Sequence, residues 1–287
     1  MLMLRSGLLV ASLMITGFTP TIFADITSAG VSAVIVARSD EDKARDGARH
    51  PEQTLAFFQV EPGMTVAEGL PGSGWYTRIL ANYLGGTGTL YGVDYAERLW
   101  PMLSYATPEW SAKRSAATEK FAETVASYTD NGINARGFTF ETVPAAVEGT
   151  VDRVLLIRAL HSLNRFEKSA GIRSEALGAV YRMLKDDGMV GVVQHRAPST
   201  ADSEWADGSR GYLNEAAVIL MFEEAGFQLV GTNEINANPL DQPAGADTVW
   251  RLPPSLRGSE DNSEQRDTLM AIGESDRMTL LFRKAVK

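Results

Sequence analysis

The chain has 287 residues, 44% of them apolar, with 36 Asp and Glu against 27 Lys and Arg, a net charge of −9, and no cysteine. The acidic balance leaves no footprint for a phosphate backbone and argues against nucleic acid as a partner. The lack of cysteine excludes a disulfide framework, a thiolate nucleophile and a Cys-ligated zinc.

Residues 1–24, "MLMLRSGLLVASLMITGFTPTIFA", place Arg5 before an apolar run and end on the small residue Ala24. This is the order of a secretory signal peptide, and the run is shorter than the roughly 20 apolar residues of a membrane span. Cleavage there removes only Arg5 among charged residues and leaves a mature charge of −10. The expected location is the periplasm or the exterior, with no stable membrane insertion after processing. Residues 25–60 read as an N-terminal helical extension or lid. Pro51 suits a first helical position, with His50 as a surface residue at the helix start and an apolar stripe of Leu55 and Phe58. Asp46 and Arg49 are expected to pair with each other or to cover a cleft.

From residue 61 to 287 strands and helices alternate. Strands are predicted at Thr65–Leu70, Thr89–Val93, Phe138–Val143, Arg153–Ile157, Met189–Gln194, Gln228–Ile235 and Met278–Phe282. Helices are predicted at Trp75–Tyr83, Ser111–Tyr128, Ser174–Leu184 and Glu215–Ala225. The alternation argues for an α/β, doubly wound, mostly parallel seven-stranded Rossmann-like sheet covered on both faces. The polar stretch before the final strand, including "RGSEDNSEQRD", reads as a solvated loop or short exposed helix and shows no clear helical crossover. The last strand is therefore expected to run antiparallel.

In such sheets ligands settle beyond the carboxyl ends of the strands, at the point where strand order reverses. The first strand's exit loop is Glu68-Gly69-Leu70-Pro71-Gly72-Ser73-Gly74, and Asp94 ends the second strand. Glycines let the backbone approach a ligand, and an acid at the end of the second strand accepts hydrogen bonds from ribose hydroxyls. A nicotinamide dinucleotide site calls for a third glycine where Thr77 stands. S-adenosylmethionine (SAM) has no phosphate and needs only the bent loop and the acid. The expected cofactor site is therefore Glu68, Gly69, Pro71, Gly72, Gly74, Tyr76 and Asp94, with Trp75 and Tyr76 at its mouth.

The stretches "VAEGLPGSGWYTRILANYL", "LLIRALHSLNRF", "AVYRMLKDDGMVGVVQHRAP" and "GYLNEAAVILMFEEAGFQLV" resemble a bacterial family of predicted class I SAM-dependent methyltransferases, many carrying signal peptides. The likeness spans Ala44 to Lys284. It implies a seven-stranded sheet with an antiparallel last strand, Glu68 through Gly74 around the methionine end of SAM, and Asp94 at the ribose. The family pattern has a glycine where this chain has Leu70, a side chain expected to narrow the cleft.

Catalytic candidates lie at the ends of the fourth and fifth strands. His161 and Arg158 follow "VLLI", and His195 and Arg196 follow "MVGVVQ". An imidazole can deprotonate a hydroxyl or amine, and a guanidinium can hold a carboxylate or phosphate. His161, His195 and Arg158 are the expected catalytic set. No His-x-His or His-x-x-x-His spacing points to a metal. Asn236, Asn238 and Trp250 are candidates for the wall of a substrate pocket. The expected activity is methyl transfer to a small oxygen or nitrogen nucleophile. Because SAM is made in the cytoplasm, an export signal raises an alternative, an exported methyltransferase-fold binding protein without catalysis.

Overall fold

In the computed structural model, which describes residues 30–286, seven strands form one sheet. They are β1 (Thr65–Gly69), β2 (Thr89–Asp94), β3 (Asn134–Thr139), β4 (Val151–Ile157), β5 (Leu184–His195), β6 (Phe227–Asn233) and β7 (Arg277–Lys284). Their spatial order is β3-β2-β1-β4-β5-β7-β6. β7 is antiparallel to both of its neighbours, and the pairs among β1 to β5 are parallel. The signal peptide predicted at 1–24 lies outside the described residues.

Successive side chains of a strand point to opposite faces, and both faces here are apolar. On β4, Val154 and Leu156 join one core cluster and Leu155 joins the other. The first cluster is completed by α8 (Leu160–Asn164), α10 (Ile172–Met183) and α11 (Glu215–Glu224), through Leu160, Val180 and Phe222. The second is completed by α4 (Pro51–Phe57) and α5 (Trp75–Tyr83), through Leu55, Ile79 and Leu80. Before α4 come helical residues 30–37, labelled α1, and the single turns α2 (Asp40–Lys43) and α3 (Asp46–Arg49). Val31 packs into the same cluster as α5.

Two expectations need correction, and a third segment takes one of its two expected forms. β3 was expected at Phe138–Val143, the more apolar run, but the ladder pairs Asn134 with Thr89 and Thr139 with Asp94. As an edge strand, β3 needs only one buried face and can begin on polar residues. Gly137 allows the close approach of the covering helix: a Cβ there would sit 1.9 Å from the Thr118 carbonyl oxygen. The helix expected at Ser111–Tyr128 is two, α6 (Pro108–Glu119) and α7 (Phe121–Ala126), the first capped by the Thr107 side chain. The polar connection before β7 contains a helix, α12 (Ser263–Ile272), capped by Asn262 and burying only Leu269. This is the exposed-helix form expected of the polar segment, extended to Ile272. The single turn α9 (Glu167–Ala170) went unpredicted.

Candidate functional site

Strand order turns at β1 and β4, where β2 and β3 lie to one side and β5 to the other. The carboxyl ends of β1 and β4 therefore open the crevice that this sheet class offers a ligand. The exit loop of β1 divides that crevice into two cavities, of about 300 Å³ and about 130 Å³, which share Pro71, Gly72 and Ser73.

The loop's shape is set by three left-handed residues, Leu70 (φ 54°), Gly72 (φ 60°) and Gly74 (φ 76°). Gly72 and Gly74 adopt this conformation without steric penalty, whereas Leu70 adopts it against its Cβ. The backbone at Leu70 thus takes the conformation for which glycine is suited, while the side chain lines the larger cavity and packs on the core. Gly74 opens α5 with no side-chain cap, so the first N–H groups of that helix lie beside the loop without a capping partner.

The larger cavity brings together most of the predicted residues. Glu68, Gly69 and Tyr76 come from the β1 exit, Arg158 and His161 from the end of β4, and His195 from the end of β5. Glu68 is buried and accepts a hydrogen bond of 2.6 Å from the Thr77 hydroxyl. Thr77, which stands where a dinucleotide site would have glycine, is used here to hold the acid. Burial pushes the Glu68 carboxyl up to about 7, against the pull of that hydrogen bond.

The histidine rings are 5.3 Å apart. The side-chain nitrogen of Gln194 donates to the carbonyls of His195 (3.1 Å) and Gly211 (2.8 Å), which leaves its oxygen as an acceptor. That oxygen lies 3.2 Å from His161 Nδ1 and also accepts from the His161 backbone N–H. His161 therefore carries its proton on Nδ1 and a lone pair on Nε2. Burial, followed by Arg158, lowers His161 to about 4 even though the Gln194 bond opposes the shift. Burial and the neighbouring His161 and Arg277 hold His195 well below its usual value. Both imidazoles are neutral at physiological pH. His195 Nδ1 is 2.6 Å from the Ser275 hydroxyl.

Asp94 lines the smaller cavity. Its carboxylate accepts from Arg114 (2.5 Å), from the Thr118 hydroxyl (3.2 Å) and from the Tyr95 backbone N–H (2.8 Å). A carboxylate offers about four acceptor positions, so a vicinal diol would need one of these contacts to give way. Arg114, on the outer helix α6, is the partner able to swing aside.

Other candidates fall elsewhere. Arg196 is held by Glu215, Glu234 and Asp276 and does not line the cavity. Asp46 pairs with Arg38 and Arg49 with Glu274, so the expected Asp46–Arg49 pair is replaced by two others. His50 starts α4 in a left-handed conformation. Asn236 bonds Thr54 and Thr279, and Asn238 bonds the carbonyls of Ile272 and Glu274, so both brace the loops. Trp250 does line the larger cavity, as do Trp75 and Tyr76.

Sequence reading missed Glu274, Ser275 and Arg277. The signal was present: an antiparallel β7 must begin at the end of the sheet where its parallel neighbours finish, so "ESDR" before "MTLLF" is delivered to the site. Among the described residues, no group of three or more His, Cys, Asp and Glu is placed to hold a metal. Nor is any helix among them long and apolar enough to cross a membrane.

No protein-family model matches the chain, and no curated protein sequence does. Solved structures do. A Haloferax volcanii complex of a methyltransferase with the Trm112 methyltransferase activator aligns at 18% identity over 91% of this chain and 98% of that one, with a TM-score of 0.50. The fold is that of the class I methyltransferases. A SAM-dependent methyltransferase from Aquifex aeolicus aligns at 18% identity over 72% of this chain and 93% of that one, TM-score 0.46. A Burkholderia thailandensis 1,6-didemethyltoxoflavin N1-methyltransferase with S-adenosylhomocysteine bound aligns at 12% identity over 96% and 95%, TM-score 0.46.

Proposed function

We propose that the chain is a SAM-dependent methyltransferase acting on a small oxygen or nitrogen nucleophile. The observation that supports this reading is the pair of cavities meeting at the glycine turn, with an acid in each: Glu68 in the larger, Asp94 in the smaller. An amino acid joined to a nucleoside spans such a pair. Glu68 and the turn from Gly69 to Gly74, with Tyr76, would hold the amino-acid end, and Asp94 would hold the ribose.

When bound, the cofactor supplies a methyl group on a sulfonium; the acceptor's lone pair forms the new bond while the carbon–sulfur electrons go to sulfur. The protein's task is alignment in a site that excludes water. His161 offers a neutral Nε2 lone pair, and the acceptor's proton becomes strongly acidic as its atom is methylated. An imidazole lowered to about 4 is then still able to take it. Arg158 and His195 would orient the acceptor.

The test is isothermal titration of the full chain with SAM and with its demethylated product, alongside Asp94→Ala and Arg114→Ala. Loss of Asp94 is expected to cost on the order of 1–3 kcal/mol, tenfold or more in Kd. Loss of Arg114 frees an acceptor position on Asp94 and is expected to tighten binding severalfold. No heat from folded protein with either ligand would sink the reading and leave the exported binding domain.

A further inference from the structure

Arg158 lines the larger cavity, and Arg49 and Arg277 stand behind its wall, a cluster with more positive charge than its ion pairs neutralise. Arg49, Arg158 and Arg277 cluster around one ionised carboxylate, Glu274, which bonds Arg49 and Arg277 at 3.0 Å each. Burial alone would raise Glu274, but Arg49 and Arg277 outweigh it and hold that carboxyl below its usual value. Arg158 is outside these pairs. It lines the cavity, its buried Nε has no hydrogen-bond partner, and its backbone is left-handed at φ 57°. The two terminal nitrogens of Arg49 are also buried without a partner, and its guanidinium lies 4.8 Å from the ring of Trp75, another cavity residue. The neutral histidines supply no countercharge. A partly buried guanidinium with no bonded carboxylate, on a bulky residue in a disfavoured conformation, destabilises the free protein on two counts. Such features persist where a ligand offsets them.

We propose that the acceptor taken by this cavity carries an oxyanion, a carboxylate or phosphate group, seated on Arg158, with the charge of Arg49 behind it and the Ser275 hydroxyl on the same wall. That it is the acceptor rests on the methyltransferase reading; that an oxyanion binds does not. The charge balance agrees. The methionine end of SAM brings a sulfonium and an ammonium against one carboxylate, so a site already rich in arginine requires a further anion beside it. Anionic acceptor and cofactor should therefore favour each other's binding.

The test titrates the full chain with inorganic phosphate and with malonate at constant ionic strength, with and without saturating SAM. Arg158→Gln is the probe and Lys113→Gln the surface control. Saturable binding of either anion is expected, weakened about tenfold or more in Arg158→Gln, unchanged in Lys113→Gln, and tightened by SAM. Thermal unfolding of the free protein provides an independent measurement. Arg158→Gln should raise the midpoint, because it removes a charge with no partner, whereas a fall would assign Arg158 a structural role and overturn the proposal. Absence of anion binding, or equal binding by Arg158→Gln, overturns it as well. Competition between anion and SAM would assign the seat to the cofactor's own carboxylate and overturn the acceptor assignment. SAM binding without anion binding sinks this inference alone. Anion binding without SAM supports the oxyanion seat and removes the methyltransferase reading.

Discussion

Glu68 shows how one residue's surroundings set a measurable property. Its carboxyl is buried beside a single hydroxyl donor and titrates near 7 instead of the ordinary 4.5. Between those values the folded protein keeps a proton that the unfolded chain has released. The Glu68 contribution to stability should therefore fall as pH rises from about 4.5 to about 7 and stay at the lower level above that, while His161 and His195, held neutral in the fold, contribute in the opposite sense below about 6.5. At about 1.4 kcal/mol per unit, the loss is on the order of 3 kcal/mol. Glu68→Gln keeps an acceptor for Thr77 and removes the titration. The histidine contribution is common to both proteins, so the parent's urea stability minus that of Glu68→Gln should fall across this range, and the variant should be the more stable at pH 8. A parent-minus-variant difference that does not change with pH would show that Glu68 is ionised throughout. The acid itself was legible in the sequence as the end of the first strand. Its dependence on Thr77 was not, because that bond forms between a strand end and the first turn of the next helix.

At the scale of elements, the N-terminal turns are tied to the sheet by charge as well as by apolar contact. Arg49 on α3 reaches Glu274 in the loop before β7, and Arg277 at the start of β7 donates to the Ala48 carbonyl at 2.5 Å. Asp42 on α2 bonds Arg78 on α5, and its carbonyl accepts from Trp75 Nε1. Removing one partner of a buried ion network leaves the others uncompensated. Glu274→Ala should cost about 3–5 kcal/mol, read as a lower urea midpoint with an unchanged denaturant slope. A loss below about 1 kcal/mol would mean the two arginines are neutralised by solvent. The helices α5, α10 and α11 were legible to within a residue or two, α11 from its Asn214 cap and closing Gly226. β3 was not, because an edge strand needs little apolar patterning, and for the same lack of patterning α12 was legible only as an exposed loop or helix.

At the scale of the molecule, we propose that the protein is exported, on the charged-apolar-small order of residues 1–24. Expressed with its own N-terminus in a bacterium, the protein recovered from the periplasm should begin at or near Asp25. An uncleaved chain confined to the cytoplasm would overturn that reading and remove the difficulty of SAM supply.

The sequence by itself determined the α/β class, the seven strands, the antiparallel end of the sheet and the glycine turn flanked by Glu68 and Asp94. These are local matters: each follows from the period of apolar residues, from turn chemistry, or from how far one element lies from the next along the chain. Tertiary structure alone decided that Asp94 is held by Arg114, that Arg196 is spent on three carboxylates while Arg158 has none, and that Arg49, Glu274 and Arg277 meet behind the histidines. Which charge finds a partner depends on side chains brought together across 225 residues of chain, as Arg49 and Glu274 are, and no local pattern records that distance.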